Sequence, residues 1–291
     1  MADAGGTLAR PLAPTVGFAS IRRFHWAFLV GASFFVIVCI LLILTPWIAP
    51  YDPAAQNLLN RLAAPGPEHL FGTDHLGRDI LSRVIFGTRV SLVVGFAAVG
   101  IGSLIGGLLG LVAGFRGGWL DEVIMTVVDA QLAFPFILLA IGIIAVLGPS
   151  FPNLIVVVGL SGWVTYARVL RSQVLSLRRR EFVDAILGLG GSVPRVLLRH
   201  ILPNVGSTLM VIATLELARA IVLEARLSFL GLGIQPPTPS WGGMIHEGRE
   251  YLDTAWWISI FPGVVLMLTS LVVSRTGDWL RDVLDPTLRG E

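Results

Sequence analysis

The chain has 291 residues and a net charge of +2, with 54% hydrophobic and only 14% charged residues. Soluble domains carry about 25% charged residues, so a chain solvated mainly by water is excluded, and the small net charge gives nucleic acid no footing. All 21 basic residues are arginine, which excludes a P-loop lysine, a Schiff-base lysine and a lysine general base, while a single cysteine, Cys39, excludes an intrachain disulfide framework or a multi-cysteine metal site.

Residues 1–25 are expected to be a cytoplasmic tail, with Arg10, Arg22 and Arg23. Residues 26–51 carry no Asp, Glu, Lys or Arg. A bilayer core about 30 Å thick needs about 20 apolar residues as helix, so this run predicts a first spanning helix. A signal-peptide apolar region is only about 7–15 residues long, so the run is read as an uncleaved span. Trp26 and Trp47 at its ends suit the headgroup level.

Residues 26–88 form the first unit: that helix plus an outer-face amphipathic segment. Pro50, Pro53, Pro65 and Pro67 keep the segment's start irregular. Thr73 or Asp74 is then expected to cap a helix with Leu76, Ile80, Leu81, Val84 and Ile85 on one face, lying in the interface. Asp74–Arg78 and Asp79–Arg83 form i,i+4 pairs on its other face. A metal site from His69, Asp74, His75 and Asp79 is the sharper reading, but the spacing fits no usual ligand pattern, and no metal is assigned.

Residues 90–115 form the second charge-free run. Gly102, Gly106, Gly110 and Gly114 give three overlapping GxxxG steps, which let another helix approach closely in lipid. Packing is favoured over a flexible gate, and the helix is available for contact with another bundle. Residues 130–167 are too long for one crossing and are split at Gly148-Pro149-Ser150-Phe151-Pro152-Asn153, a turn signal. The helix before that turn starts near Val123 and holds Asp129, ahead of Pro135. Asp129 is either a functional intramembrane acid or a group near the inner end, hydrated or bonded to a neighbouring helix.

Residues 178–204 are the longest and most basic inside loop. Glu181, Phe182, Val183, Asp184, Ala185, Ile186, Leu187, Gly188 and Leu189 predict a short helix ended by Gly190-Gly191. Ser192 caps a second, with Pro194 in its first turn, an apolar stripe of Leu197, Leu198, Ile201 and Leu202, and a stop at Pro203. Two short helices with an apolar ridge read as a docking element; the plainer alternative is an interfacial helix anchored by arginines. Residues 205–230 are read as a spanning helix despite Glu216, Arg219, Glu224 and Arg226. Glu216 and Arg219 are spaced to pair (i,i+3), with the lining of a polar pathway as the second reading. Glu224 and Arg226 are expected to reach the outer interface. The outer loop 231–253 is stiffened by Pro236, Pro237 and Pro239, with Trp241, Trp256 and Trp257 suited to the headgroup level. Residues 254–274 complete an all-α polytopic fold of six spanning helices, followed by an inner tail, 279–291. Fourteen arginines fall on one side and five on the other, so both termini are placed inside.

These residues resemble a family. Asp184-Ala185-Ile186, Gly190 and Leu202-Pro203 keep the spacing of the EAA motif of ABC importer permeases, with Asp184 for Glu, Ile186 for Ala and His200 where Ile is usual. Phe71-Gly72-Thr73-Asp74 with Leu76-Gly77-Arg78-Asp79 resembles the N-terminal signature of dipeptide/oligopeptide/nickel permeases of the DppC/OppC type. Leu227-Ser228-Phe229-Leu230-Gly231-Leu232-Gly233, Pro236-Pro237 and Ser240-Trp241-Gly242 resemble their penultimate loop, and the ending from Gly277-Asp278-Trp279 to Asp285-Pro286 is similar too. The resemblance covers about residues 25–288.

The resemblance implies a type I importer (MetI-like) core over 89–278 with one extra N-terminal helix, in the bacterial cytoplasmic membrane. It implies a paralogous permease (DppB/OppB-like) as partner, one or two ATPase subunits docked on Glu181, Asp184, Ala185, Gly190, Leu202 and Pro203, and an extracytoplasmic substrate-binding protein. No catalytic residue or cofactor is assigned to this chain: ATP and Mg would be bound by the ATPases, in keeping with the missing Walker A lysine. Di- or oligopeptides are the implied cargo; nickel chelate, glutathione or another small solute are alternatives. From other classes, a proton-coupled secondary transporter would use Asp129 or Glu216 and show internal repeats, which the sequence lacks. A membrane enzyme is disfavoured by histidines scattered on both predicted sides.

Overall fold

A computed structural model of the chain describes residues 44–284. The predicted first helix lies mostly outside these residues; within them, 44–48 are helical. The helices are α1 (Ile80–Arg116), α2 (Gly118–Ala133), α3 (Phe136–Leu147), α4 (Phe151–Arg178), α5 (Glu181–Gly188), α6 (Val193–Phe229), α7 (Trp241–Gly248) and α8 (Trp257–Leu284). No β-strand occurs among the described residues. Four helices (α1, α4, α6 and α8) are long and apolar enough to span a membrane, and the bent pair α2–α3 makes a fifth if it is one span.

The segment ahead of α1 is not an interfacial helix. Gly72 and Gly77 have φ of +74° and +73°, left-handed values that break helical propagation. Asp74 Oδ1 accepts from the backbone N–H of Leu76 (2.8 Å) and Arg78 (2.9 Å), closing a tight turn. The helix starts later, at Ile80, where Asp79 caps the Ser82 N–H at 2.8 Å. From there α1 runs 37 residues without a break.

The glycine seam of α1 lies against α4 of the same chain, not against a second bundle. A Cβ on Gly110 would stand 2.6 Å from Ala167 O, and one on Gly114 2.8 Å from Arg171 O; Gly102 faces Gly159 O at 3.2 Å, and Gly106 abuts Trp163 O. Backbone therefore touches backbone at these four glycines, over about three turns. Gly117 and Gly118, at φ +64° and +61°, reverse the chain into α2.

The span after α2 is broken at Phe134–Pro135, earlier than the turn that separates α3 from α4. Phe134 is extended and the helices meet at 92°. Proline lacks the N–H and pushes the preceding residue out of the α region. Just before the elbow, Gln131 ties α2 to α4: its Nε2 donates to Leu160 O (3.0 Å) and its Oε1 accepts from Trp163 Nε1 (2.7 Å).

Pro203 does not stop the last inner helix. Leu197–Ile201 form one π-helical turn, in which the Leu202 N–H donates to Leu197 O, and the helix continues to Phe229. The wider turn absorbs a residue with no N–H to offer its own i−4 carbonyl. Glu224 does not reach the interface either. It is fully buried, accepting from Ser91 (2.9 Å) and Ser228 (2.7 Å). Trp241 and Trp257 are core residues rather than headgroup anchors: their Nε1 atoms donate to Val84 O (3.1 Å) and Thr73 O (3.0 Å). Trp256 and Trp47 are exposed.

Candidate functional site

The loop between α4 and α6 is seated on the bundle. Val183, Val196 and Ile201 are buried with Leu111 and Phe115 of α1 and Leu170 and Val174 of α4. The helix α5 ends in a Schellman motif: Gly191 N–H donates to Ile186 O (2.9 Å), Gly190 N–H to Leu187 O (3.0 Å), and Gly190 takes φ +83°. Glu181 and Asp184 lie in its first turn, where the helix dipole favours acids.

Glu181, Asp184, Ala185, Gly190 and Pro203 are exposed, whereas Leu202 is half-buried against the core. Around them stands a set of exposed apolar side chains, Phe182, Leu187, Leu189, Val193 and Leu198, with Leu189 89% exposed. The loop thus has a fixed inner face and an uncovered apolar outer face.

Arginines join α4 to α2 nearby. Arg171 grips both oxygens of Asp121, Nη2–Oδ2 at 2.6 Å. Arg168 reaches Asp129 at 2.7 Å, both side chains more than half exposed. Asp129 is therefore an exposed partner of a neighbouring helix.

Glu216 and Arg219 pair at 2.9 Å, the carboxylate nearly buried and the guanidinium 71% exposed. They border a cavity of about 700 Å³ that also includes Ser161 and Thr165 of α4, Arg226 of α6 and Ser274 of α8. Leu132 and Phe136, on either side of the α2–α3 elbow, form another wall. Irregular backbone at membrane depth is tolerated where it is covered by protein or lines water, so the elbow and the polar cavity belong together.

Around the start of α1, Arg78 and Arg83 are buried with Asp74, and Glu247 joins them half-buried. Arg78 Nε meets Asp74 Oδ2 at 2.5 Å, and Glu247 Oε2 accepts from Arg78 (2.7 Å) and Arg83 (3.0 Å). The residues weighed as metal ligands are divided: His69 pairs with Asp79 at 2.9 Å, and Asp74 belongs to the arginines. Asp74, His75 and Glu247 do converge within 4.8 Å, but two guanidiniums already occupy the carboxylates and oppose a cation. Asp79–Arg83, expected to pair, do not: Asp79 caps α1 instead. Sequence reasoning missed Glu247 altogether and gave Arg226 no cavity role; the seven-residue spacing from Arg219 was the available signal for the latter.

Residues 106–290 match the family described as binding-protein-dependent transport system inner membrane component. Residues 21–65 match the N-terminal TM domain of oligopeptide transport permease C. The chain is 42% identical over 261 residues to the dipeptide transport system permease protein DppC of Alkalihalophilus pseudofirmus, covering 90% of this chain and 86% of that one. It is 43% identical over 272 residues to the glutathione transport system permease protein GsiD of Escherichia coli, covering 92% and 89%. Among solved structures, an inward-facing MetNI methionine ABC transporter chain aligns with a TM-score of 0.58 at 16% identity, over 71% of this chain and 98% of that chain, a likeness of fold. The chain belongs to the binding-protein-dependent transport system inner membrane components and is a permease subunit of an ABC importer.

Proposed function

We propose that the chain, paired with a paralogous permease, forms the translocation path for di- or oligopeptides handed over by an extracytoplasmic binding protein. Support for the cargo comes from relatives named for dipeptide and glutathione transport, glutathione being itself a tripeptide, and from the match to the oligopeptide permease C N-terminal domain. The arginine bias of the loops supports both termini inside, with loop 178–204 in the cytoplasm of a cell whose inner membrane holds the complex.

The observation that carries the coupling role is the loop's two-faced seating: Val183, Val196 and Ile201 held in the bundle core, Phe182, Leu187 and Leu189 left uncovered. A groove on an ATPase subunit is the partner that such a ridge fits. ATP and Mg belong to that subunit, because this chain has no lysine to hold phosphates, so it acts as a transport subunit and not as an enzyme. When the ATPases close, a push on α5 is shared at once with α1 and α4 through the common core. It also passes along α6, one 37-residue helix, to the polar cavity.

The test is binding-protein-dependent uptake of labelled di- and tripeptides in cells deleted for this chain and complemented with it. Uptake is expected only with the complemented gene, and two ATPase subunits are expected to co-purify. Equal uptake of every peptide in the deletion strain, with no redundant importer, contradicts the cargo; purification without ATPases contradicts the machine.

A further inference from the structure

Two arginines stand on one face of α6 within its apolar span. Arg219 and Arg226 are seven residues apart, two turns and about 10 Å along the axis, so they project to the same side. Both are exposed. Arg219 is paired with Glu216; Arg226 has no hydrogen-bond or ion-pair partner among the described residues. Ionisable side chains in a spanning helix face the bundle interior or water, not hydrocarbon. The face shared by these arginines is therefore the wall of an aqueous path.

The rest of the cavity agrees. Two arginines against one carboxylate leave it with one surplus positive charge. Ser161 and Thr165 line it from α4, the Ser161 hydroxyl donating to Val158 O at 2.6 Å and Thr165 bonding Glu216, while Ser270 of α8 contributes a buried Oγ with no partner among the described residues. A guanidinium in a cavity with a free hydroxyl, that of Ser270, is a receptor for a carboxylate, which accepts two parallel N–H bonds from arginine and another from a hydroxyl. Glu216 stands at the opposite sign beside it, matching a solute with both a carboxylate and an ammonium.

We propose that Arg226, assisted by Arg219, binds the terminal carboxylate of the peptide as it crosses, so that the cavity is a carboxylate-binding step in the translocation path. This rests on the peptide-permease reading above. A carboxylate of the partner permease is the competing occupant, and the test separates the two.

The experiment uses the full complex with its binding protein in proteoliposomes, in a Cys39→Ser background, with tri-alanine as the probe. Arg226→Cys is expected to lower tri-alanine uptake at least about tenfold, the scale of one lost charge-assisted hydrogen bond. Aminoethyl methanethiosulfonate, which attaches an ammonium to the cysteine, should restore most of it; the sulfonatoethyl reagent, which attaches an anion, should not. Arg226→Lys should retain part of the uptake, since it keeps the charge but not the planar fork. Undiminished uptake by Arg226→Cys, or equal rescue by both reagents, overturns the proposal. Loss of the partner permease from the purified Arg226→Cys complex also overturns it, by assigning the arginine to the subunit interface. If the wild-type complex imports no peptide at all, the cargo reading falls and the proposal falls with it. A wild type that imports while Arg226→Cys imports equally refutes the proposal alone.

Discussion

Arg78 and Glu247 are 169 residues apart in the chain and 2.7 Å apart in space. The same Glu247 oxygen accepts from Arg83 at 3.0 Å, and Asp74 closes the cluster from the other side. This ionic knot fastens the irregular segment before α1 to α7 and lets that segment hold its shape with little secondary structure.

Removing Glu247 leaves two buried guanidiniums sharing one carboxylate. Breaking a buried pair from one side costs about 3–5 kcal/mol, so Glu247→Gln should lower the thermal midpoint of the purified complex clearly. Adding Arg83→Met should recover part of that loss, because the second unpaired charge goes with it. A double variant less stable than the single one contradicts this account.

The α1 seam gives a contrast between neighbouring glycines. A Cβ on Gly110 would stand 2.6 Å from Ala167 O, whereas one on Gly107 meets nothing within 4 Å. Gly110→Ala should destabilise by about 1–3 kcal/mol through overpacking. Gly107→Ala should be neutral or stabilise by up to about 1 kcal/mol through helix propensity. Chemical-denaturation midpoints of the two variants, side by side, decide it.

Gly190 holds φ +83° with open space where a side chain would go. Arginine there meets no clash, only the left-handed backbone cost of about 1–2 kcal/mol. Gly190→Arg should let the complex assemble but misplace the ridge. ATP hydrolysis should persist while peptide uptake falls by roughly the 5–30-fold that this energy represents. Gly188→Ala, helical and equally open, is the control. Full uptake by Gly190→Arg would remove the loop from the coupling path.

Asp129 and Arg168 form an exposed pair, worth about 0–1 kcal/mol. Asp129→Asn should therefore shift stability by less than about 1 kcal/mol and leave uptake within about twofold. A proton-coupled transporter that used this carboxylate would lose uptake altogether.

What could be read from sequence was what is decided locally. The turn over 148–153 does separate α3 from α4, because Gly148 ends one helix and Ser150 caps the next within a few residues. The helix α5 and its glycine stop were legible for the same reason. The stripe of Ile80, Leu81 and Val84 was real, but it belonged to the start of α1, and the turn residues Gly72 and Gly77 outweighed its upstream extension. Pro203 shows a local rule overridden: the core around Ile201 and Val205 holds the helix together, and a π-turn supplies the room. Glu247 was invisible, because nothing within a window of sequence relates it to Arg78. Trp241 read as an anchor for its residue type, but Gly87 makes the slot it fills, with Trp241 Cδ1 3.1 Å from the position of a Cβ there.

The seam along Gly102, Gly106, Gly110 and Gly114 has a mechanical meaning. With main chain against main chain for about three turns, α1 and α4 have little slack to slide or splay and are expected to travel as a single strut. Gln131 pins α2 to that strut up to the elbow, and Phe134–Pro135 is where the pinning ends. α1, α4 and α2 are then expected to move as one body, with Phe134–Pro135 the point where bending can begin.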